Sequence, residues 1–219
     1  MSSSAIQLLV LAGIAVFLIL KLRNVLGTRE GYEKPVMPQD ITPEQRRGGL
    51  EVIEGGPDRD ITDHADEDSP AAEALYAMKR AEPDLNISEF LNGARGAYEM
   101  ILMAFENGDL DPVRPFLSDD VYDTFAGVIE ERERRGLTVE AEFIGVRELA
   151  LVGADFDKAT GEGEIRLRFV GEMTSVVRDQ DGTIIEGDPG VIKRQKDIWT
   201  FARRIGADDP NWQLVATGE

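Results

Sequence analysis

The sequence contains no cysteine and a single histidine, His64, in 219 residues. Without cysteine the chain has no disulfide, no thiolate nucleophile and no cysteine-ligated metal. The histidine lies in the acidic run DRDITDHADED, where a general base would lack the fixed geometry that catalysis needs. We therefore expect no catalytic residue, no metal site and no cofactor, and we interpret His64 as a solvated surface residue.

Basic residues are few relative to acidic ones. The chain has 24 Lys and Arg against 42 Asp and Glu, which gives a formal net charge of -18. Binding to nucleic acid depends on clustered basic side chains that displace counterions from phosphates, so we expect no nucleic acid partner. The hydrophobic content of 42% is still sufficient for a folded core, and the length fits one domain with accessory segments.

One long apolar run, AIQLLVLAGIAVFLIL, begins at Ala5. With its flanking residues it spans residues 4–22, and a helix of that length covers about 28 Å. The hydrocarbon core of a bilayer is roughly 30 Å thick, so we predict a single transmembrane helix here. The apolar side chains that would anchor it in lipid include Leu8, Leu11, Phe17 and Leu20.

The charges that flank this run predict its orientation. Serines precede it, whereas Lys21, Arg23 and Arg29 follow it. A cleaved signal peptide has the opposite charge order and a small-residue cleavage site, so we expect the anchor to be retained. Because basic flanks favour the cytoplasmic side, we expect the N-terminus outside and the rest of the chain in the cytoplasm.

Residues 23–70 have the composition of an acidic linker. From Thr28 to Pro70 the sequence holds five prolines and two Gly-Gly pairs, with 12 acidic and 5 basic residues. Such a segment cannot bury enough apolar surface to offset its chain entropy, and its like charges repel one another. We therefore predict a flexible tether between the anchor and the folded domain.

Residues 71–219 carry the periodicities of a folded domain. Apolar side chains at helical spacing predict three helices between residues 71 and 136. Beyond them apolar and polar residues alternate as in strands, with a phase shift near Gly145 that indicates a β-bulge. Three helices followed by about four strands predict an α+β fold, with the helices packed on one face of a bent antiparallel sheet.

A bent sheet backed by helices encloses a space, which is a common place for a ligand pocket. Trp199 and Phe201 lie two residues apart and so point to one face of a strand. Side chains of this kind could bind a ligand or a protein, or could serve only as cross-strand pairs that stabilise the sheet. The predicted pocket or protein-binding residues are Tyr98, Leu102, Phe143, Leu167, Phe169, Trp199, Phe201 and Trp212.

Two stretches carry a resemblance to a known family. One is the predicted helix FLNGARGAYEMILMAF from Phe90, and the other is DIWTFARRIGADDPNWQLVATGE from Asp197. The W-T-F and D-P-N-W-Q-L-V motifs, in this order and at this separation, resemble the Tim44-like domain family over Ala71 to Gly218. The resemblance implies a helix-backed curved sheet like the nuclear-transport-factor-two (cystatin-like) cone.

The resemblance also implies a function. The family takes its name from a mitochondrial inner-membrane translocase subunit, and a short anchor before an acidic linker is similar to its alphaproteobacterial members. It implies a single-pass protein of the bacterial inner membrane, whose partners are the lipid bilayer and translocation or chaperone machinery. We therefore expect a non-enzymatic adaptor in the translocation, insertion or assembly of membrane proteins.

Two alternatives remain open at this stage. An open apolar cleft in the cone would favour a module that binds a hydrophobic ligand or peptide, whereas a filled core would favour the adaptor. The resemblance extends to a mitochondrial ribosomal protein, which implies a ribosome-docking receptor as the other alternative. The net negative charge opposes broad contact with ribosomal RNA.

Overall fold

The computed structural model describes residues 57–218. The predicted anchor at residues 4–22 and the linker up to residue 56 lie outside this part of the chain. Within residues 57–218, no helix combines the length and the apolar character that crossing a bilayer requires.

Four α-helices and one 3-10 helix come first in the described part. The α-helices are α1 (Arg59–Thr62), α2 (Pro70–Ala81), α3 (Ile87–Asn107) and α4 (Asp119–Arg134). The 3-10 helix Asp111–Phe116 connects α3 to α4. The three longer helices confirm the helices predicted from the apolar spacing.

Side-chain caps determine where these helices begin and end. The side chains of Ser69, Asn86 and Ser118 each accept a hydrogen bond from a backbone amide in the first turn of α2, α3 and α4, which satisfies amides that have no partner within the helix. Helix α3 ends at Gly108, whose φ of 75° is the left-handed conformation that glycine adopts without steric cost.

Five antiparallel strands form one open sheet. They are β1 (Thr138–Asp157), β2 (Glu162–Arg178), β3 (Ile184–Gly187), β4 (Lys193–Arg204) and β5 (Gln213–Gly218). The order is β1-β2-β4-β5, and the short strand β3 also pairs with β2. The α+β class and the antiparallel sheet predicted from the sequence are therefore confirmed.

The pairing between β1 and β2 is irregular. The register between these strands shifts at three places: Phe143/Gly145, Val146/Glu148 and Leu151/Gly153. Each extra residue disrupts the ladder locally and increases the twist. The first shift confirms the β-bulge predicted near Gly145.

The core lies between the helices and one face of the sheet. Helices α2 and α3 pack against β1, and the fully buried side chains include Leu75, Tyr98, Phe169 and Phe201. On the opposite face, Glu172 forms ion pairs with Arg147 and Arg194 at 2.6 and 2.9 Å. One face of the sheet is therefore tightly packed, and the other carries charged side chains.

The folded part begins earlier than the sequence predicts. Ile61 of α1 is 0% exposed and belongs to the core, although the sequence assigns it to the flexible linker. The Asp60 carboxylate accepts hydrogen bonds from the backbone amides of Ile87 and Ser88 at 2.7 and 2.9 Å, so α1 caps α3. One apolar side chain among many charges is too weak a pattern to have predicted this.

His64 is also less exposed than the sequence predicts. His64 is half-buried, and its Nε2 lies 3.1 Å from the Ser88 hydroxyl at the start of α3. It helps to hold the residues after α1 against the domain. It is therefore part of the packed structure and not a freely solvated side chain.

Asp60 gives the fold a pH dependence that can be measured. The Lys79 ammonium lies 2.8 Å from Asp60 Oδ2 and 2.6 Å from Asp58 Oδ2. Burial alone would raise the pKa of Asp60, but Lys79 and the two amides outweigh it and hold the pKa well below its usual range. A lowered pKa in the folded state means that Asp60 stabilises the fold above its unfolded pKa of about 3.9 and loses this effect as the pH falls below it.

We expect Asp60→Asn to lower the free energy of unfolding by about 1–3 kcal/mol at pH 7. The difference from the wild type should begin to shrink as the pH falls through the unfolded-state pKa of about 3.9, because Asp60 then takes up a proton in the unfolded chain and not in the folded one. It should continue to shrink until the pH reaches the lower pKa of the folded state. Urea unfolding at several pH values measures both effects. Asp63→Asn, at an exposed position just after α1, is the control; a difference for Asp60→Asn that stays constant down to pH 3 would contradict this role.

Candidate functional site

Most of the predicted site residues meet in one aromatic cluster. The Tyr98 ring of α3 stacks on Phe169 of β2 with centroids 4.4 Å apart and lies 4.7 Å from Trp199 of β4. Phe143 and Phe201 complete the cluster at 6.0 Å from Tyr98 and 6.2 Å from Trp199. Leu102 and Leu167 are buried in the same core. These side chains fill the space that the sequence analysis assigned to a pocket.

A buried polar pair lies at the centre of this cluster. The Tyr98 hydroxyl donates a hydrogen bond of 2.5 Å to Asp197 Oδ2, and Gln195 Nε2 donates one of 3.1 Å to Asp197 Oδ1. Burial raises the pKa of Tyr98 far above its usual value, and the hydrogen bond to Asp197 raises it further. A phenol that stays protonated is a hydrogen-bond donor and not a base, so this pair has a structural role.

Residues of the C-terminal D-P-N-W motif contact the buried side chain of Arg203. Arg203 Nη2 donates to Glu82 Oε1 at 2.6 Å, and the Arg203 guanidinium lies 5.2 Å from the Trp212 ring. Arg203 Nη1 also donates to the Pro210 carbonyl, and Trp212 packs on Phe90 with centroids 4.6 Å apart. The motif therefore joins the last strand to the ends of α2 and α3.

Unlike the other predicted site residues, Trp212 lies outside the aromatic cluster. It is half-buried and borders a small groove of about 190 Å³ whose helical wall includes Phe90, Gly93, Ala94 and Ala97. The groove is too small for a typical ligand site, since such sites occupy about 300–1,000 Å³. Trp212 and Phe201, which also borders this groove, are the predicted residues that reach a surface depression.

A larger groove of about 590 Å³ lies between α4 and the core-side face of the sheet, beyond the aromatic cluster. Its volume is within the range of ligand and peptide sites. Its walls come from α4, the end of α3 and strands β2, β3 and β4. They include Glu106, Thr124, Val128, Met173, Glu186 and Lys193.

The chemistry of this α4 groove is mixed. Leu137, Met173 and Val177 give it apolar surface, and Val128 on α4 is 41% exposed. Charged side chains of both signs, among them Glu131, stand around these apolar groups. An apolar floor with a charged rim suits a polypeptide segment better than a single small charged molecule.

Glu106 is a largely buried acidic residue of the groove. Its side chain is 13% exposed, and the nearest cation, Arg132, lies 3.9 Å away. Arg132 is also engaged elsewhere, because it donates to the Phe105 carbonyl at 3.3 Å and lies over the Phe105 ring. Burial raises the pKa of Glu106, and Arg132 and Lys193 offset this only in part. The groove therefore holds a carboxylate whose charge is poorly compensated.

In residues 57–218, no three His, Cys, Asp or Glu side chains are grouped to hold a metal. His64 contacts Ser88 at the start of α3 and does not border the α4 groove.

The sequence analysis assigned none of the groove residues to a site. Thr124 and Val128 come from one helix, Glu106 from another, and Glu186 and Lys193 from strands far along the chain. These residues follow no shared period, and most are polar or exposed. One signal was available: Gly127 leaves open space on α4 where a larger side chain would fill the groove.

Comparison with known proteins identifies the family. The model of the Tim44-like domain matches residues 71–219, which is more than half of the chain, so this chain belongs to the Tim44-like domain family. The resemblance found in the sequence is therefore confirmed.

Several curated relatives carry the same domain. The mitochondrial import inner membrane translocase subunit TIM44 of Homo sapiens is 23% identical over 148 residues, which cover 66% of this chain and 32% of the human protein. TIM44 of Rattus norvegicus is 22% identical over 148 residues, with the same coverage of both chains. The chain thus matches about a third of the length of these relatives.

Solved structures were matched as well. The intermembrane space region of the chloroplast protein ARC6 aligns with a TM-score of 0.38 and 9% sequence identity, and it covers 58% of this chain and 94% of that one.

Proposed function

We propose that this chain is a membrane-anchored, non-enzymatic adaptor that presents its Tim44-like domain in the cytoplasm at the bacterial inner membrane. Its role is in the translocation, insertion or assembly of membrane proteins, and its partners are the proteins that carry out these steps. Membership of the family and the name of the curated relatives, an inner membrane translocase subunit, support this role.

The α4 groove is the observation that carries the proposal. It is large enough for a stretch of polypeptide, its apolar floor is accessible, and its rim carries charges of both signs. The side chains of the aromatic cluster fill the space beside this groove. A filled core with an open groove at one end provides a rigid surface for a partner.

Charge favours a partner with basic side chains. Subtracting the -7 of residues 28–70 and the +2 of residues 1–27 from the chain total of -18 leaves -13 for residues 71–219. At the groove, the raised pKa of Glu106, caused first by burial, means that a partner's lysine or arginine would stabilise the ionised carboxylate. We therefore propose that the groove holds polypeptide segments that combine apolar and basic residues.

The predicted anchor adds an effect that the domain alone lacks. A domain that is tied to the membrane meets membrane-bound partners at a high effective concentration, which increases occupancy without any new contact. A weak groove interaction is then sufficient for an adaptor.

Photo-crosslinking from the groove tests this function. A photoreactive phenylalanine analogue at Thr124 or Val128, in the full chain in native membranes, should capture defined membrane proteins or their precursors. The matched control carries the analogue at Glu130, an exposed position of the same helix that does not border the groove. Equal capture from Glu130, or no protein captured from either groove position, would contradict the proposal.

Binding of a hydrophobic ligand is the second candidate, and the apolar floor formed by Leu137, Met173 and Val177 favours it. In the same experiment this function predicts an adduct of lipid or quinone size at Val128 in place of a protein. Mass spectrometry of the crosslinked chain distinguishes the two functions.

A further inference from the structure

The segment Ile184–Lys196 has an unusual surface. Its four branched apolar side chains are strongly exposed: Ile184 by 38%, Ile185 by 51%, Val191 by 51% and Ile192 by 55%. They account for half of the eight large hydrophobic side chains that are exposed in the described part of the chain. Such clustering on a monomer surface marks a contact site.

The charges of this segment differ from those of the rest of the chain. Glu186 and Asp188 lie in its first half, and Lys193, Arg194 and Lys196 lie in its second half. The segment is therefore nearly neutral in a chain of net charge -18. Two copies of so acidic a protein repel each other over most of their surfaces, and this segment is a place where they can approach.

The segment also follows a free edge of the sheet. Among the described residues, β5 pairs with Ile198–Ala202 of β4, and none pairs on that side with the β4 residues before Ile198. Strand β3 pairs with β2 alone in the described part of the chain. Unpaired strand edges present backbone groups that can bind another chain.

We propose that Ile184–Lys196 is a self-association surface, which binds the same segment of a second copy through a two-fold axis. A two-fold axis places the residues of one copy opposite those of the other in reverse order. An axis between Pro189 and Gly190 places Glu186 of one copy opposite Lys193 of the other. Both side chains border the α4 groove and so lie on the same face of the sheet. The order of acidic and basic residues makes the segment complementary to itself.

A lipid surface fits these residues less well. The apolar pairs at positions 184–185 and 191–192 are separated by the loop EGDPG, which carries Glu186 and Asp188. Inserting the apolar pairs into a bilayer would take these carboxylates out of water, which is costly for charged groups without partners. In the dimer Glu186 instead lies opposite Lys193 of the second copy.

Because the chain has no cysteine, a single introduced cysteine reports on one position. Gly190→Cys lies near the proposed axis, and we expect it to form disulfide-linked dimers of the full chain in native membranes under mild oxidation. The yield should be at least about fivefold higher than for Lys158→Cys, an exposed control position between β1 and β2. Equal yields for the two variants would overturn the proposal. So would a Gly190→Cys chain that reacts with lipid-attached probes in vesicles but forms no disulfide-linked dimer.

Charge-reversal variants distinguish a specific dimer from chance collisions between chains. In the Gly190→Cys chain, Glu186→Lys alone and Lys193→Glu alone should each reduce the dimer yield severalfold. The two changes together should restore it, because the reversed charges are again complementary. Single reversals without effect, or a double reversal that does not recover the yield, would overturn the proposal. Groove crosslinking is a separate readout, so a failure here would leave the adaptor function standing.

Discussion

Replacing Trp199 with alanine is expected to lower the free energy of unfolding by about 3–5 kcal/mol. Trp199 is 4% exposed and lies against Tyr98, Phe169 and Phe201. Alanine would remove the indole from the centre of the aromatic cluster and leave a cavity that rigid neighbours cannot fill. Urea unfolding of the full chain in detergent, followed by circular dichroism, measures the loss.

Two further variants make the Trp199 result interpretable. Arg204→Ala, at an exposed position of the same strand, should change stability by less than about 0.5 kcal/mol. Trp199→Phe should recover part of the lost stability if packing is the cause. A Trp199→Ala chain with normal stability that no longer captures a partner would instead show that the W-T-F motif acts by contact.

The second large effect is expected at Ile61. Ile61→Ala should lower the free energy of unfolding by about 2–5 kcal/mol, because the side chain is 0% exposed and α1 also holds Asp60 against the start of α3. The same denaturation experiment measures this loss. A cost of this size would extend the folded unit beyond the matched family domain, which begins at residue 71.

Arg59→Ala, at an exposed position of the same short helix, is the matched control for Ile61 and should be nearly neutral. If Ile61→Ala were as mild as Arg59→Ala, residues 57–69 would be part of the tether, as the sequence alone predicts, and their contacts with the domain would contribute little to stability.

The regular elements of this fold were predictable because their signals are local. Ser118 caps α4, and Gly108 ends α3; these residue types have those roles in helices generally. The change from helical to alternating spacing after residue 136 marks the start of the sheet, and Gly145 marks its first bulge. Each of these signals lies within a few residues of the feature that it predicts.

The rest was not predictable because it depends on contacts between distant segments. Ile61 is recognisable as a core residue only once α3 lies beside it. Strand β3 has four residues, all exposed, so it shows no burial pattern. The α4 groove is formed by side chains from α3, α4 and three strands, and what defines it is the space between them.

The aromatic residues illustrate the same difference between fold and site. The sequence correctly placed Trp199 and Phe201 on one face of a strand, and this face is buried. It could not predict whether the space in front of them was empty. The Tyr98 ring fills that space, and the accessible groove lies farther along the sheet, next to α4.

Groove crosslinking in native membranes, before and after the domain is released, is the most direct measurement of the central claim. A protease site inserted between Gly48 and Gly49 would separate the predicted anchor from the folded domain. The account predicts that the analogue at Thr124 captures defined membrane proteins in the intact chain and loses most of this capture after cleavage. Capture that is unchanged by cleavage, or the same from Glu130 as from Thr124, would contradict an adaptor that holds partners at the membrane.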